Sequence, residues 1–307
     1  MRADADADEV MPVSQPQAAS RRAAGLAPRL KAALVATRPV ALARLAEDAQ
    51  LPCVVIGCTT LQRGRATLHQ WLATPTEHTG AEEFDGAALI RRFSALPAQW
   101  SALPVLYGAG FDHRPELLAR IGRRHRLLGN DADTLGLVSD PFSFAEIARH
   151  LKLPFAAVSE SRPDGPGWLA RHVNDEYDAH TLPAHRVRGD ALTRYYQREM
   201  PGRRMLALFV ASGRRVRVVG LGDYVMDGHR RASASRAVGT ALGVVELITQ
   251  AANRLMVELG LVGMHRLDFC VQGASWVIER LTARLTDEMA LFEGALEAHL
   301  SSVMDHP

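Results

Sequence analysis

The chain has 307 residues, 47% of them hydrophobic, enough to fill the cores of two or three compact lobes without covalent staples. Its 36 basic and 34 acidic residues nearly cancel, which excludes an overall field favouring nucleic acid or an anionic membrane; any anion site must be local. Cys53, Cys58 and Cys270 form no CxxC or CxxH pair, no run approaches a membrane span, and the start "MRADADADEV" is acidic, so the expectation is a cytoplasmic protein without zinc or disulfides.

In chain order, residues 1–27 are rich in Ala, Asp, Ser, Gln and Pro without apolar periodicity and predict a disordered tail. "KAALVAT", "PVALARLAEDAQ" and "LPCVVIGC" predict strand, helix and strand, with the continuous apolar strands of a parallel sheet buried on both faces. "LPVLYGAG" predicts a third strand, "RPELLARIGRRH" a helix and "RLLGN" a short strand, completing an α/β lobe over 28–132. In "SDPFSFAEIARHLKLPF", Ser139 or Asp140 can cap a helix with Pro141 in its first turn. This helix opens a second lobe, 133–200, with strands at "GPGWLARHV" and "LTRYYQREM". A third lobe, 201–307, starts with two strands meeting at Ser212 and Gly213, continues through the polar loop Asp223 to Ser235, and has a helix with apolar residues at Leu242, Val245, Ile248, Ala252, Leu255, Met256 and Leu259. "DEMALFEGALEAHLSSV" predicts a final amphipathic helix.

"LDFCVQGASWVIER" carries the most pointed chemistry, because two acids sit in segments that otherwise read as buried strand. With the turn at Gln272 to Ser275, Phe269 faces Ile278, Cys270 faces Val277, and Asp268 faces Glu279. Opposed carboxylates repel, so either a divalent cation such as magnesium lies between them, or the ribbon is exposed and the acids pair with Arg266 or Arg280.

Taken in order, "VLYGAGFDHRPELLARIGRRHRLLGN", "SDPFSFAEIARHLKLPF", "GWLARHV", "YYQREMPGRRMLALFVASGRRVRVVG" and "GLVGMHRLDFCVQGASWVIER" resemble the ATP-grasp superfamily, specifically its carboxylate-amine ligases with a pre-ATP-grasp domain. The resemblance implies an α/β fold, α+β in the ATP-grasp part, with ATP between two subdomains and magnesium held by Asp268 and Glu279. It implies that backbone groups of Arg198 to Met200 meet adenine, with Gln197 or Glu199 near the nucleotide, and that Arg171 takes the place of a phosphate-contacting lysine. The implied reaction phosphorylates a small carboxylate, and an amine captures the acyl phosphate. Relatives of this kind attach an amino acid to methanopterin- or methanofuran-type precursors in one-carbon metabolism.

The chain departs from that pattern in three places. A glycine-rich phosphate loop is replaced by "NDEYDAHTLPAHRVRG", with Asp175, Glu176 and Asp178. Leu281 stands where an asparagine completes the metal shell, and Arg284, the candidate catalytic arginine for the transferred phosphate, matches only with one residue inserted. Lys152 lies too far along its helix to serve as the second nucleotide lysine. The alternative is therefore a catalytically impaired homologue acting as a partner subunit or homodimer. "GAGFDH" at Gly108 lacks the third glycine of a dinucleotide turn, and "RIGRRHR" reads as a solvated helix end.

Overall fold

The computed structural model describes residues 31–58, 69–73, 76–78, 82–172, 181–187, 194–238 and 242–304; the N-terminal tail and the acids Asp175, Glu176 and Asp178 lie outside them. The first layer alternates strand and helix: β1 (Ala32–Val35), α1 (Val40–Asp48), β2 (Cys53–Gly57), β3 (His69–Ala73), the short pair β4 (Thr76–His78) and β5 (Glu82–Phe84), α2 (Gly86–Ser94), β6 (Val105–Tyr107) and α3 (Pro115–Gly122). β3, β2, β1 and β6 form a parallel sheet in that order. Its alternate residues feed two cores, Ala32 and Leu34 packing with α1 and Ala33 and Val35 with α2 and α3. This is why β1 and β2 are apolar at every position. β3, β4, β5 and α2 were not anticipated, and "RLLGN" yields only an isolated bridge between Leu127 and Val105 instead of a strand.

Two capped helices follow, α4 (Ala132–Ser139) and α5 (Pro141–His150). The Asp131 carboxylate accepts from the Thr134 amide at 2.8 Å and Asp140 from Ser143 at 2.9 Å, satisfying amides that a helix start leaves open. A small sheet contains β7 (Val158–Ser159), β8 (Trp168–His172), β9 (Leu182–Pro183) and β10 (Arg194–Arg198) in the order β7-β10-β8-β9.

The large sheet has β11 (Arg203–Ser212), β12 (Val216–Asp227), β13 (Arg230–Arg236), then α6 (Leu242–Leu259), β14 (Val262–Gln272) and β15 (Ser275–Thr282) in the antiparallel order β13-β12-β11-β14-β15. One face, with Met205, Ala207, Phe209, Leu267 and Phe269, packs on Ile248, Ala252, Leu255 and Met256 of α6. Each such side chain buried contributes on the order of 2 kcal/mol. The opposite face, with Leu206, Leu208 and Met264, packs toward the first layer and α7 (Ala295–Met304).

Two expectations are corrected here. Asp223 to Ser235, expected as a loop, is most of the β12–β13 hairpin, turning at Gly228 with φ 59°. The last amphipathic helix is split: a 3₁₀ turn spans Asp287–Leu291 and α7 starts only after Gly294, whose φ of 72° breaks the run.

The first layer and the large sheet are fastened at Asn130 and His299. Asn130 accepts from the Val262 amide at 2.9 Å, donates to the Ala283 carbonyl at 2.9 Å and lies 3.0 Å from Nε2 of His265. His299 Nδ1 accepts from the Met264 amide at 2.9 Å, so its other nitrogen carries the proton toward the Leu128 carbonyl, 3.1 Å away.

Candidate active site

The site grows from the β14–β15 hairpin. The ladder pairs Val271 with Trp276, Cys270 with Val277 and Phe269 with Ile278, as the side-chain alternation requires, but then pairs Asp268 with Arg280. Glu279 is a bulge residue, so Glu279 and Arg280 together oppose Asp268 and the expected direct Asp268–Glu279 pair does not form. Beyond the bulge Leu281 and Ala283 enter the α6 core, while Arg280 and Thr282 approach Asp268 and Arg266. Thr282, not Leu281, therefore reaches the face where the resemblance expects asparagine.

Asp268 is fully buried, and its carboxylate is already surrounded. One oxygen accepts from Tyr224 at 2.7 Å and lies 3.1 Å from Nε of Arg266; the other accepts from Arg231 at 2.9 Å and lies 3.8 Å from Nε of Arg280. Burial alone would raise its pKa, but Arg231, Arg266 and Arg280 with the Tyr224 hydroxyl more than offset that and hold it below the ordinary value. Arg266 also donates to Glu288 at 2.8 Å, and that acid too is held low, burial being outweighed mainly by Arg266. The Arg231 guanidinium stacks 4.3 Å over the Tyr224 ring.

Glu279 is also buried but more loosely engaged. Its two oxygens lie 3.6 Å from Nη2 of Arg171 on β8 and 3.8 Å from Nε of Arg204 on β11. Gln197 on β10 donates to the Glu279 backbone carbonyl at 2.9 Å, with its own Oε1 buried and unpartnered among the described residues. Three of the predicted residues, Arg171, Gln197 and Glu279, thus meet where the small sheet faces the large one. The hinge residues diverge from them. Arg198 is exposed, stacks 5.7 Å over Trp168, and its amide donates to Ala157; the Glu199 amide donates to Gly167 and its carboxylate meets Nδ1 of His229 at 3.1 Å. Those two amides are consequently spent within the protein and do not face a ligand. The Met200 carbonyl accepts from the Cys270 thiol at 3.6 Å.

Arg284 is buried, and its Nε lies 2.8 Å from both oxygens of Asp112 in the first layer. Beside it a cavity of about 60 Å³ is walled by Glu279, Arg280, Thr282 and Tyr195 on its polar side and by Val138 and Phe144 on its apolar side. That is room for a few waters or one small anionic group.

Sequence reasoning missed Asp112, Arg204, Tyr224, Arg231 and Glu288. Arg204 had a signal, since it precedes Leu206 and Leu208 at strand period on the face shared with Asp268. Arg231 and Tyr224 had none, because their segment read as a loop.

The donor set fits a phosphate better than it fits magnesium. Arg171 and Arg204 bring two buried guanidinium groups to Glu279 from the small and the large sheet, a donor set suited to a polyanion. A dication at Asp268 would have to displace arginine and tyrosine from both oxygens, and among the described residues no group of three or more acids, histidines or cysteines could hold a metal ion. The assignment of Asp268 as half of a magnesium-binding pair does not fit this packing, because guanidinium already supplies the compensating charge.

No protein-family profile matches the chain and no curated protein matches it. Solved structures do. Biotin carboxylase from Campylobacter jejuni, determined as a beta-gamma-ATP complex, superposes with a TM-score of 0.67 at 14% identity, over 91% of this chain and 72% of that one. N5-carboxyaminoimidazole ribonucleotide synthetase from Thermus thermophilus gives 0.63 at 17% identity, over 90% and 78%. A putative ATP-grasp superfamily protein from Archaeoglobus fulgidus gives 0.60 at 13%, over 85% and 83%. Pyruvate carboxylase from Rhizobium etli gives 0.70 at 12% identity over 91% of this chain, which spans 29% of that much longer protein. The fold is therefore the ATP-grasp fold, with helix and sheet mixed as expected. Among the described residues no helix is long and apolar enough to cross a membrane.

Proposed function

We propose that this chain is an ATP-dependent carboxylate-amine ligase of the ATP-grasp kind, cytoplasmic and acting on small molecules. The observation that carries the reading is the convergence of Arg171 and Gln197 from the small sheet with Arg204 and Glu279 from the large one. ATP would lie in this cleft with its phosphates toward Arg171 and Arg204. A substrate carboxylate oxygen attacks the γ-phosphorus, the bond to the β-bridging oxygen breaks and ADP leaves; an amine then attacks the acyl carbon and expels inorganic phosphate. The protein's share is alignment and neutralisation of developing charge by fixed guanidinium groups. An amino acid as the carboxylate, with a methanopterin- or methanofuran-type precursor supplying the amine, is the first pair to screen.

The second reading, a homologue without turnover that serves as a partner subunit or homodimer, is favoured by Arg284, whose Nε is committed to Asp112. Titration calorimetry with ATP, with and without magnesium, followed by ADP release in the presence of acid and amine pools, separates the two. Binding with amine-dependent ADP release supports the ligase; binding without turnover supports the partner; no binding at millimolar ATP removes the ligase reading.

A further inference from the structure

The surroundings of Asp268 say what occupies the place where its carboxylate was expected to meet a metal ion. Three strands each deliver one guanidinium to it: Arg231 from β13, Arg266 from β14 and Arg280 from β15. Delivery from β13 is not trivial, because β12 and β11 lie between it and β14. It is helped by the register shift between Val225 and Met226, by Gly222, which presents no side chain opposite Leu206, and by Tyr224, whose ring carries Arg231 to the carboxylate. Glu288 completes the cluster through Arg266. Among the described residues this cluster brings three guanidinium groups to two carboxylates, and Arg280, the most exposed of the five at 21%, lines the cavity beside Glu279.

A carboxylate that accepts from Tyr224 on one oxygen and from Arg231 and Arg266 on the other is crowded for a hard dication, which would also meet three like charges instead of water. Guanidinium also retains its charge at any physiological pH and presents a planar fork to phosphate oxygens.

We propose that Arg231, Arg266 and Arg280 are the resident cations of this site in place of a divalent ion at Asp268, so that a polyphosphate entering the cleft is met by guanidinium and not through metal held by Asp268. The inference rests on the cleft being an anion site, as the proposed function has it. Asp268 is then a positioning residue, holding the arginine trio rather than touching the ligand.

The test titrates the full chain with inorganic tripolyphosphate in EDTA and again in excess magnesium, and separately with Mn²⁺ by electron paramagnetic resonance. Affinity for tripolyphosphate should agree within about threefold between the two conditions, and Arg280→Ala should weaken it about tenfold or more in EDTA. Mn²⁺ uptake should be the same in the native chain and in Asp268→Asn. A magnesium requirement of about tenfold or more, or Mn²⁺ uptake lost in Asp268→Asn, overturns the proposal. Should Asp268→Asn not fold, Arg280→Ala decides: Mn²⁺ uptake gained over the native chain supports displacement of a metal by arginine, and uptake already present and unchanged overturns it. No tripolyphosphate binding under either condition removes the anion-cleft reading itself, while the Mn²⁺ comparison still decides what Asp268 holds.

Discussion

Nε of Arg284 lies 2.8 Å from each carboxylate oxygen of Asp112, tying the segment after the β14–β15 hairpin to the loop after β6 across 172 residues of chain. Burial would raise the Asp112 pKa, yet Arg284 outweighs it and holds the carboxyl below its usual value. A buried ion pair broken on one side strands the other charge.

Asp112→Asn should therefore lower unfolding stability by about 3 kcal/mol at pH 7, and Arg284→Met should cost less, because the Asp112 it strands is partly exposed and can take up a proton whereas a stranded Arg284 is buried and cannot lose one. Urea midpoints of the two variants and of the double variant measure this. Equal, additive losses would refute the pairing as a stability element.

Acid unfolding should come in two stages. Burial holds His265 down to about 3 and His299 down to about 4, both from an unfolded value of 6.5. Below pH 6.5 the unfolded chain binds protons that these neutral rings refuse, so stability falls as pH falls, by about 1.4 kcal/mol per pH unit for each ring. The carboxylates of Asp112, Asp268 and Glu288, whose folded pKa values are lowered, add a second loss that begins only as pH drops through the ordinary carboxylate range near 4. Denaturant midpoints between pH 7 and pH 5 should decline in the native chain and decline less in His299→Gln; a flat profile for the native chain would refute the histidine stage.

Gly263 has φ 90°, and a Cβ there would lie 2.7 Å from Cε1 of His299. Gly263→Ala should lose about 2 kcal/mol from backbone strain and the clash combined. In a cycle with His299→Ala the losses should be less than additive, because the second change removes the colliding ring. Thermal unfolding of the four proteins reads this, and strict additivity would rule out the clash.

Gln197→Leu removes the donor that holds the Glu279 carbonyl across the cleft at 2.9 Å. A loss of about 1 kcal/mol is expected, with faster amide hydrogen exchange localised to β15 around the bulge. Unchanged exchange there would mean that the small sheet does not brace the bulge.

Much of the fold was legible because its strands and α6 are strongly patterned: β1 and β2 are apolar throughout, and Phe269, Ile278 and Trp276 fall on one side of their hairpin, as the alternation requires. The Asp140 cap and Pro141 announced α5. β13 was not legible, since "RRASASR" alternates only Ala232 and Ala234 with serines, has no β-branched or aromatic residue, and is held by pairing with β12. At the site the pairs up to Phe269–Ile278 were readable, whereas the bulge was not: a one-residue irregularity leaves no mark in composition, and Glu279 looks like any strand residue. Asp112 and Arg284 are distant in sequence, so nothing local links them. Arg171, Gln197 and Glu279 do come together, but the role of each stays with the proposal above.

The fastening at Asn130 and His299 has a mechanical consequence. Asn130 bridges to both Val262 and Ala283, and His299 spans Leu128 and Met264, so the parallel sheet and the large sheet travel as one block. On the other side, the segment before the small sheet meets β15, where the Ala156 amide donates to the Ile278 carbonyl at 2.9 Å and the Ile278 amide to the Pro154 carbonyl at 2.8 Å, beside the Gln197 bond to Glu279. Both joints thus bear on the one β14–β15 hairpin, so a slip in its pairing would be felt by the first layer and the small sheet alike.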